Sequence, residues 1–141
     1  MHFTIHAAPT GECSTTVREV QGQRLTVWEV NAADLPPLGV TFEQVAERLS
    51  TLPRMFFEPD GSFVWVSSAQ PRWQLDGQLQ DRGPALDYVE LKGTCAAAEW
   101  EKFLTTLGWP GKKLLFQLVR AGIFLDEPAL RQLLLVDVAN E

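Results

Sequence analysis

The sequence predicts an α+β fold: a mainly antiparallel sheet, built from an N-terminal hairpin and a four-strand meander, with two to three helices packed on one face. Three observations lead there. Residues 54–93 break into four short runs of aromatic and β-branched side chains, the types that suit a pleated, half-buried surface. Short polar connections carrying Pro and Gly separate those runs. Helical spacing of apolar residues flanks the stretch on both sides, which separates helices from strands along the chain.

Taken in order, Phe3, Ile5 and Ala7 alternate with Thr4 and His6, a strand pattern. Residues 16–20 and 24–30 flank Gln21-Gly22-Gln23 and read as a hairpin. Residues 31–39, with Pro36-Pro37, connect to a helix opened by Thr41. Thr41 and Gln44 form a Thr-x-x-Gln capping box, in which each side chain serves the other's amide. Phe42, Val45, Ala46, Leu49 and Leu52 make one apolar stripe, and Pro53 ends the helix.

In the meander, Met55, Phe56 and Phe57 are joined to Phe63, Val64, Trp65 and Val66 through Pro59-Asp60-Gly61, a hairpin turn. Trp73, Leu75 and Leu79 alternate with Gln74, Asp76, Gln78 and Gln80. After the turn at Asp81-Arg82-Gly83-Pro84, Val89 and Leu91 point one way and Tyr88, Glu90 and Lys92 the other. One oily and one wet face is the pattern of an antiparallel sheet covered on one side. Thr94 is the expected N-cap of a second helix with Trp100, Phe103, Leu104 and Leu107 inward, stopped by Gly108 and Pro110. Residues 114–125 form a continuous apolar run that suits a buried strand or a buried helix; the short entry and Gly122 favour strand. Asp126 and Pro128 start a last helix carrying Leu130, Leu133 and Leu134.

The 141 residues are expected to form one α+β domain, 1–141, able to bury roughly two-thirds of its unfolded surface. Net charge is −6 with only twelve Lys and Arg, which argues against nucleic acid, whose binding draws most of its affinity from cations on phosphates. No apolar run reaches the ~18 residues of a membrane span, so no membrane is expected. The first six residues show no basic region followed by an apolar block. Cys13 and Cys95 make neither a disulfide framework nor a CxxC motif, which points to reduced thiols and a cytoplasmic location.

The sharpest chemical constellation is Asp76 with Glu90-Leu91-Lys92 on the wet face of neighbouring strands. Two carboxylates converging from adjacent strands can hold a hard divalent cation, Mg²⁺ or Mn²⁺, and a nearby Lys can orient or deprotonate water. In these residues the chain resembles the PD-(D/E)xK nuclease family, whose core runs helix, three strands, helix, strand. Residues 41–52, 63–66, 73–79, 87–92, 96–107 and 114–119 trace that order. The resemblance implies Asp76 as first acid, Glu90 as second and Lys92 as the lysine of a metal-dependent nuclease, with Asp76 and Glu90 as metal ligands. The competing reading is a solvated charge pattern across two strands, worth a few tenths of a kcal/mol.

Weaker signals surround it. His2 and His6 share one face of a first strand, but Cys13 and Cys95 have no zinc-ligand spacing, so the histidines read as a terminal, partly exposed pair. Cys95 lies beside a helix start, where the dipole can lower a thiol pKa, yet a small packed residue is the plainer reading. Residues 108–112 lack phosphate-loop spacing. The resulting expectation is a small acidic non-catalytic module binding a protein partner or forming a homo-oligomer, with no cofactor. The nuclease and a small-molecule-binding domain stand as alternatives.

Overall fold

The computed structural model describes residues 1–134. Among them, nine strands form one antiparallel sheet: β1 (His2–Ala7), β2 (Thr15–Val20), β3 (Gln23–Trp28), β4 (Met55–Phe57), β5 (Ser62–Val66), β6 (Gln74–Arg82), β7 (Ala85–Gly93), β8 (Leu114–Leu118) and β9 (Ile123–Leu125). Three α-helices accompany them: α1 (Phe42–Leu49), α2 (Ala97–Thr106) and α3 (Glu127–Leu134). The strand order is β2-β3-β9-β8-β1-β7-β6-β5-β4. The predicted α+β class with a mainly antiparallel sheet is therefore the one observed. No helix among the described residues is long and apolar enough to cross a membrane.

β1 makes non-local pairings on both of its sides. It lies between β7 and β8, with Ile5 opposite both Val89 and Phe116. Phe3 and Ile5 are fully buried on the helix-covered face, where Val45 and Leu49 of α1, Trp100 and Phe103 of α2, and Leu130 of α3 join them in one core. A smaller cluster of Leu35, Leu115 and Phe124, backed by Trp28 and Val30, covers part of the opposite face. The β2–β3 hairpin joins the rest of the sheet through a single register pair, Trp28 with Phe124.

Local signals place several ends. The Gln44 amide donates to Thr41 Oγ1 at 3.1 Å and the Thr41 amide to Gln44 Oε1 at 3.0 Å, the expected capping box. The Ala129 amide donates to Asp126 Oδ1 at 3.1 Å and starts α3. Other ends differ from expectation. α1 stops at Leu49, short of Pro53, because the Ser50 and Thr51 hydroxyls donate to the carbonyls of Ala46 and Arg48 at 2.8 and 2.7 Å and satisfy the last turn early. The N-cap of α2 is Ala96, with no side-chain cap, because the Thr94 amide still donates to Gln74 O at 3.1 Å and belongs to the sheet margin. Residues 114–125 resolve into two strands, β8 and β9, reversed over residues 119–122.

Candidate functional site

The face of the sheet away from the helices carries its polar side chains in rows that cross the strands. One row runs Val64, Asp76, Lys92, His2 over β5, β6, β7 and β1. The next runs Ser62, Gln78, Glu90, Thr4, Gln117. Asp76, Glu90 and Lys92 thus share one face of adjacent strands, as expected from their alternation. Asp76 is directly opposite Lys92, and Glu90 sits one diagonal step away. Each carboxylate already has a polar partner. Gln74 Nε2 donates to Asp76 Oδ1 at 2.8 Å, and His2 Nε2 donates to Glu90 Oε2 at 2.6 Å. Among the described residues no group of three or more His, Cys, Asp and Glu is placed to hold a metal ion.

His6 departs from its expected partly exposed position. It is 8% exposed, because β1 is internal to the sheet and Tyr88 stacks on its ring at 5.3 Å while Phe124 meets it edge-on at 5.8 Å. His6 Nε2 and Thr4 Oγ1 share a hydrogen bond of 2.7 Å. Burial lowers the imidazole pKa from 6.5 to about 4, against a smaller opposite pull from the Asp87 carboxylate, whose charge also meets Arg82 at 2.7 Å. The ring is neutral at pH 7 and can accept or donate one hydrogen bond without carrying charge.

A stability consequence follows from the sign of that shift. Between about 4 and 6.5 the unfolded chain binds a proton at His6 that the folded chain refuses. Stability is therefore full above 6.5 and falls as the pH drops through that window. Acidification from pH 7 to pH 4 is expected to cost the wild type about 3 kcal/mol more than it costs His6→Gln. Urea midpoints of both proteins across the window check this, and parallel pH profiles would refute it.

Beside the polar rows, where β1 begins and β2, β7 and β8 end, a groove of about 700 Å³ opens. Val20, Leu118 and Ile123 give it buried apolar lining, and Arg18, Lys92 and Arg120 line it from exposed positions. Arg18 is presented by the hairpin, opposite Leu25. Arg120 sits in the β8–β9 turn, and Lys92 comes from the same strand as Glu90. Because the hairpin is tied to β9 by one register pair, its far half has no ladder bonds to β9, and its tip forms a separate wall.

Sequence reasoning reached only Lys92 of this set. Arg18 reads as an ordinary strand residue, and Arg120 is the one charge interrupting residues 114–125, a turn signal with no chemistry attached. Cys95 is fully buried, and burial pushes its thiol up to about 12, with the Glu99 charge adding to the rise. Desolvation outweighs the α2 terminus, so the thiol is packed and protonated, the plainer of its two expected roles. The arrangement defines an α+β sheet protein with a groove at one sheet end. Comparison with protein-family models, curated proteins and solved structures finds no match.

Proposed function

We propose that the protein is a non-catalytic binding module whose groove between the hairpin tip and the ends of β1, β7 and β8 takes a small molecule. The observation that supports this most is the groove itself. Its volume of about 700 Å³ lies within the roughly 300–1,000 Å³ typical of ligand sites, and it combines the apolar lining of Val20, Leu118 and Ile123 with charged side chains at its margin. Ala121 is an exposed turn residue on its lining, so Ala121→Trp is expected to place an indole in the groove from outside the core. Fragment binding followed by amide chemical shifts is expected to move Val20, Leu118 and Ile123, and Ala121→Trp is expected to abolish the effect. Shifts elsewhere on the molecule, or none with any fragment, would end the reading.

A second reading, pairing with another copy, has its own support at β2. This strand ends the sheet order, five of its six residues are exposed, and Val17 is 55% exposed. An open strand edge is a template for further pairing. An antiparallel two-fold pair keeps each side chain on its own face, so only residues of matching parity meet. Centred on Val17, it sets Thr16 against Arg18 and Thr15 against Glu19, whereas centres at Arg18 or Glu19 oppose like charges. Dimers that dissociate in Val17→Lys, read by sedimentation, are the expected result. A monomer at all concentrations in the wild type would exclude it.

A further inference from the structure

We infer that the groove selects an amphiphilic oxyanion: a small molecule with an apolar body and a carboxylate or phosphate head. This inference rests on the small-molecule reading above and specifies its ligand class. The body is assigned by Val20, Leu118 and Ile123, whose buried side chains offer no hydrogen-bonding group. The head is assigned by charge. Arg18, Lys92 and Arg120 line the groove, and Glu19 is the only carboxylate among the lining residues. The chain as a whole carries −6, so this local excess of cations runs against its surroundings.

The three cations are also uncommitted. Among the described residues the ion pairs are His2 with Glu90, Arg82 with Asp87, and Arg131 with Glu101 and Glu127; Arg18, Lys92 and Arg120 belong to none. Lys92 faces Asp76 across β6, but the Asp76 carboxylate takes Gln74 at 2.8 Å. Glu90, the nearest carboxylate on the strand of Lys92, is held by His2 at 2.6 Å. Both acids closest in register to Lys92 thus have other partners. Two guanidinium forks offer parallel N–H pairs, a match for the paired oxygens of a carboxylate or phosphate. The chain as a whole is net negative, so the cations mark where on the groove an oxyanion is drawn in.

The test titrates the full chain with octanoate, octyl phosphate, octanol and octylamine, following amide shifts and calorimetry. Octanoate or octyl phosphate is expected to bind at Val20, Leu118 and Ile123 at least about tenfold tighter than octanol, with octylamine weakest, since a tenfold ratio is the size expected of one or two partly exposed charge contacts. Which of the two anions binds more tightly separates a carboxylate source from a phosphate source. Arg18→Gln with Arg120→Gln is expected to bring the anions down to the octanol level while leaving octanol unchanged. Equal binding of all four molecules in the groove would overturn the anion assignment and leave the small-molecule reading standing. Absence of binding by all four, with fragments also silent, would overturn both. Anion binding that survives the double substitution would show that the arginines do not select the ligand.

Discussion

Gly93→Ala is expected to destabilise the fold by roughly 3 kcal/mol or more, shifting the urea midpoint far below that of the wild type. Gly93 ends β7 with φ +129, a backbone region that side chains with a Cβ rarely adopt. A Cβ there would also overlap the carbonyl oxygen of Gln74 on β6. That oxygen cannot retreat cheaply, because it accepts the Thr94 amide at 3.1 Å. Nor can Gly93 easily move, since its own amide donates to Met1 O at 2.8 Å and ties β1 to the sheet. Gly83→Ala is the matched control: φ is +61 and nothing lies within 4 Å of the added carbon. It should cost about 1 kcal/mol, the backbone term alone. Equal losses in the two variants would show that the Gln74 contact relaxes freely.

Trp100→Ala is expected to cost about 3–5 kcal/mol, a large fraction of the roughly 5–15 kcal/mol that keeps a domain folded. Trp100 has no exposed surface and joins the helices to the sheet. Its ring stacks on Phe103 at 5.9 Å, meets Phe3 of β1 edge-on at 5.9 Å, and tilts against Phe116 of β8 at 5.9 Å. Deleting it leaves a cavity at the junction of α2 with the two strands that close the sheet's middle. Trp100→Phe should cost less than about 2 kcal/mol, because it keeps most of the stacking and removes an indole N–H that is buried without a partner among the described residues. Far-UV circular dichroism during urea unfolding reads both variants. A phenylalanine as damaging as alanine would show that neither the volume nor the stacking of a single six-membered ring holds the junction.

The local elements were legible in the residues, and the reasons are local. Thr41 with Gln44, and Asp126 with Ala129, close their bonds within three residues, so spacing alone reveals them. The departures arise where a group had a rival partner: Thr94 stayed with Gln74 of β6, and Ser50 and Thr51 ended α1 ahead of Pro53. His6 illustrates the larger limit. Its alternation with Phe3 and Ile5 marks a strand correctly, but alternation cannot say whether that strand lies at an edge or between β7 and β8. Only the flanking Tyr88 and Phe124 turn a terminal histidine into a buried neutral one.

The amino-acid sequence by itself determined the α+β class, the alternating faces of the strands and the placing of Asp76, Glu90 and Lys92 on one wet surface, because each depends on periods of two or 3.6 residues. The tertiary structure alone decided that β1 sits inside the sheet, that His2 rather than Asp76 engages Glu90, and that Arg18, Lys92 and Arg120 surround one groove. Positions so far apart in the chain meet only through non-local strand pairing, whose register is set by the whole core and is written in no short stretch of it.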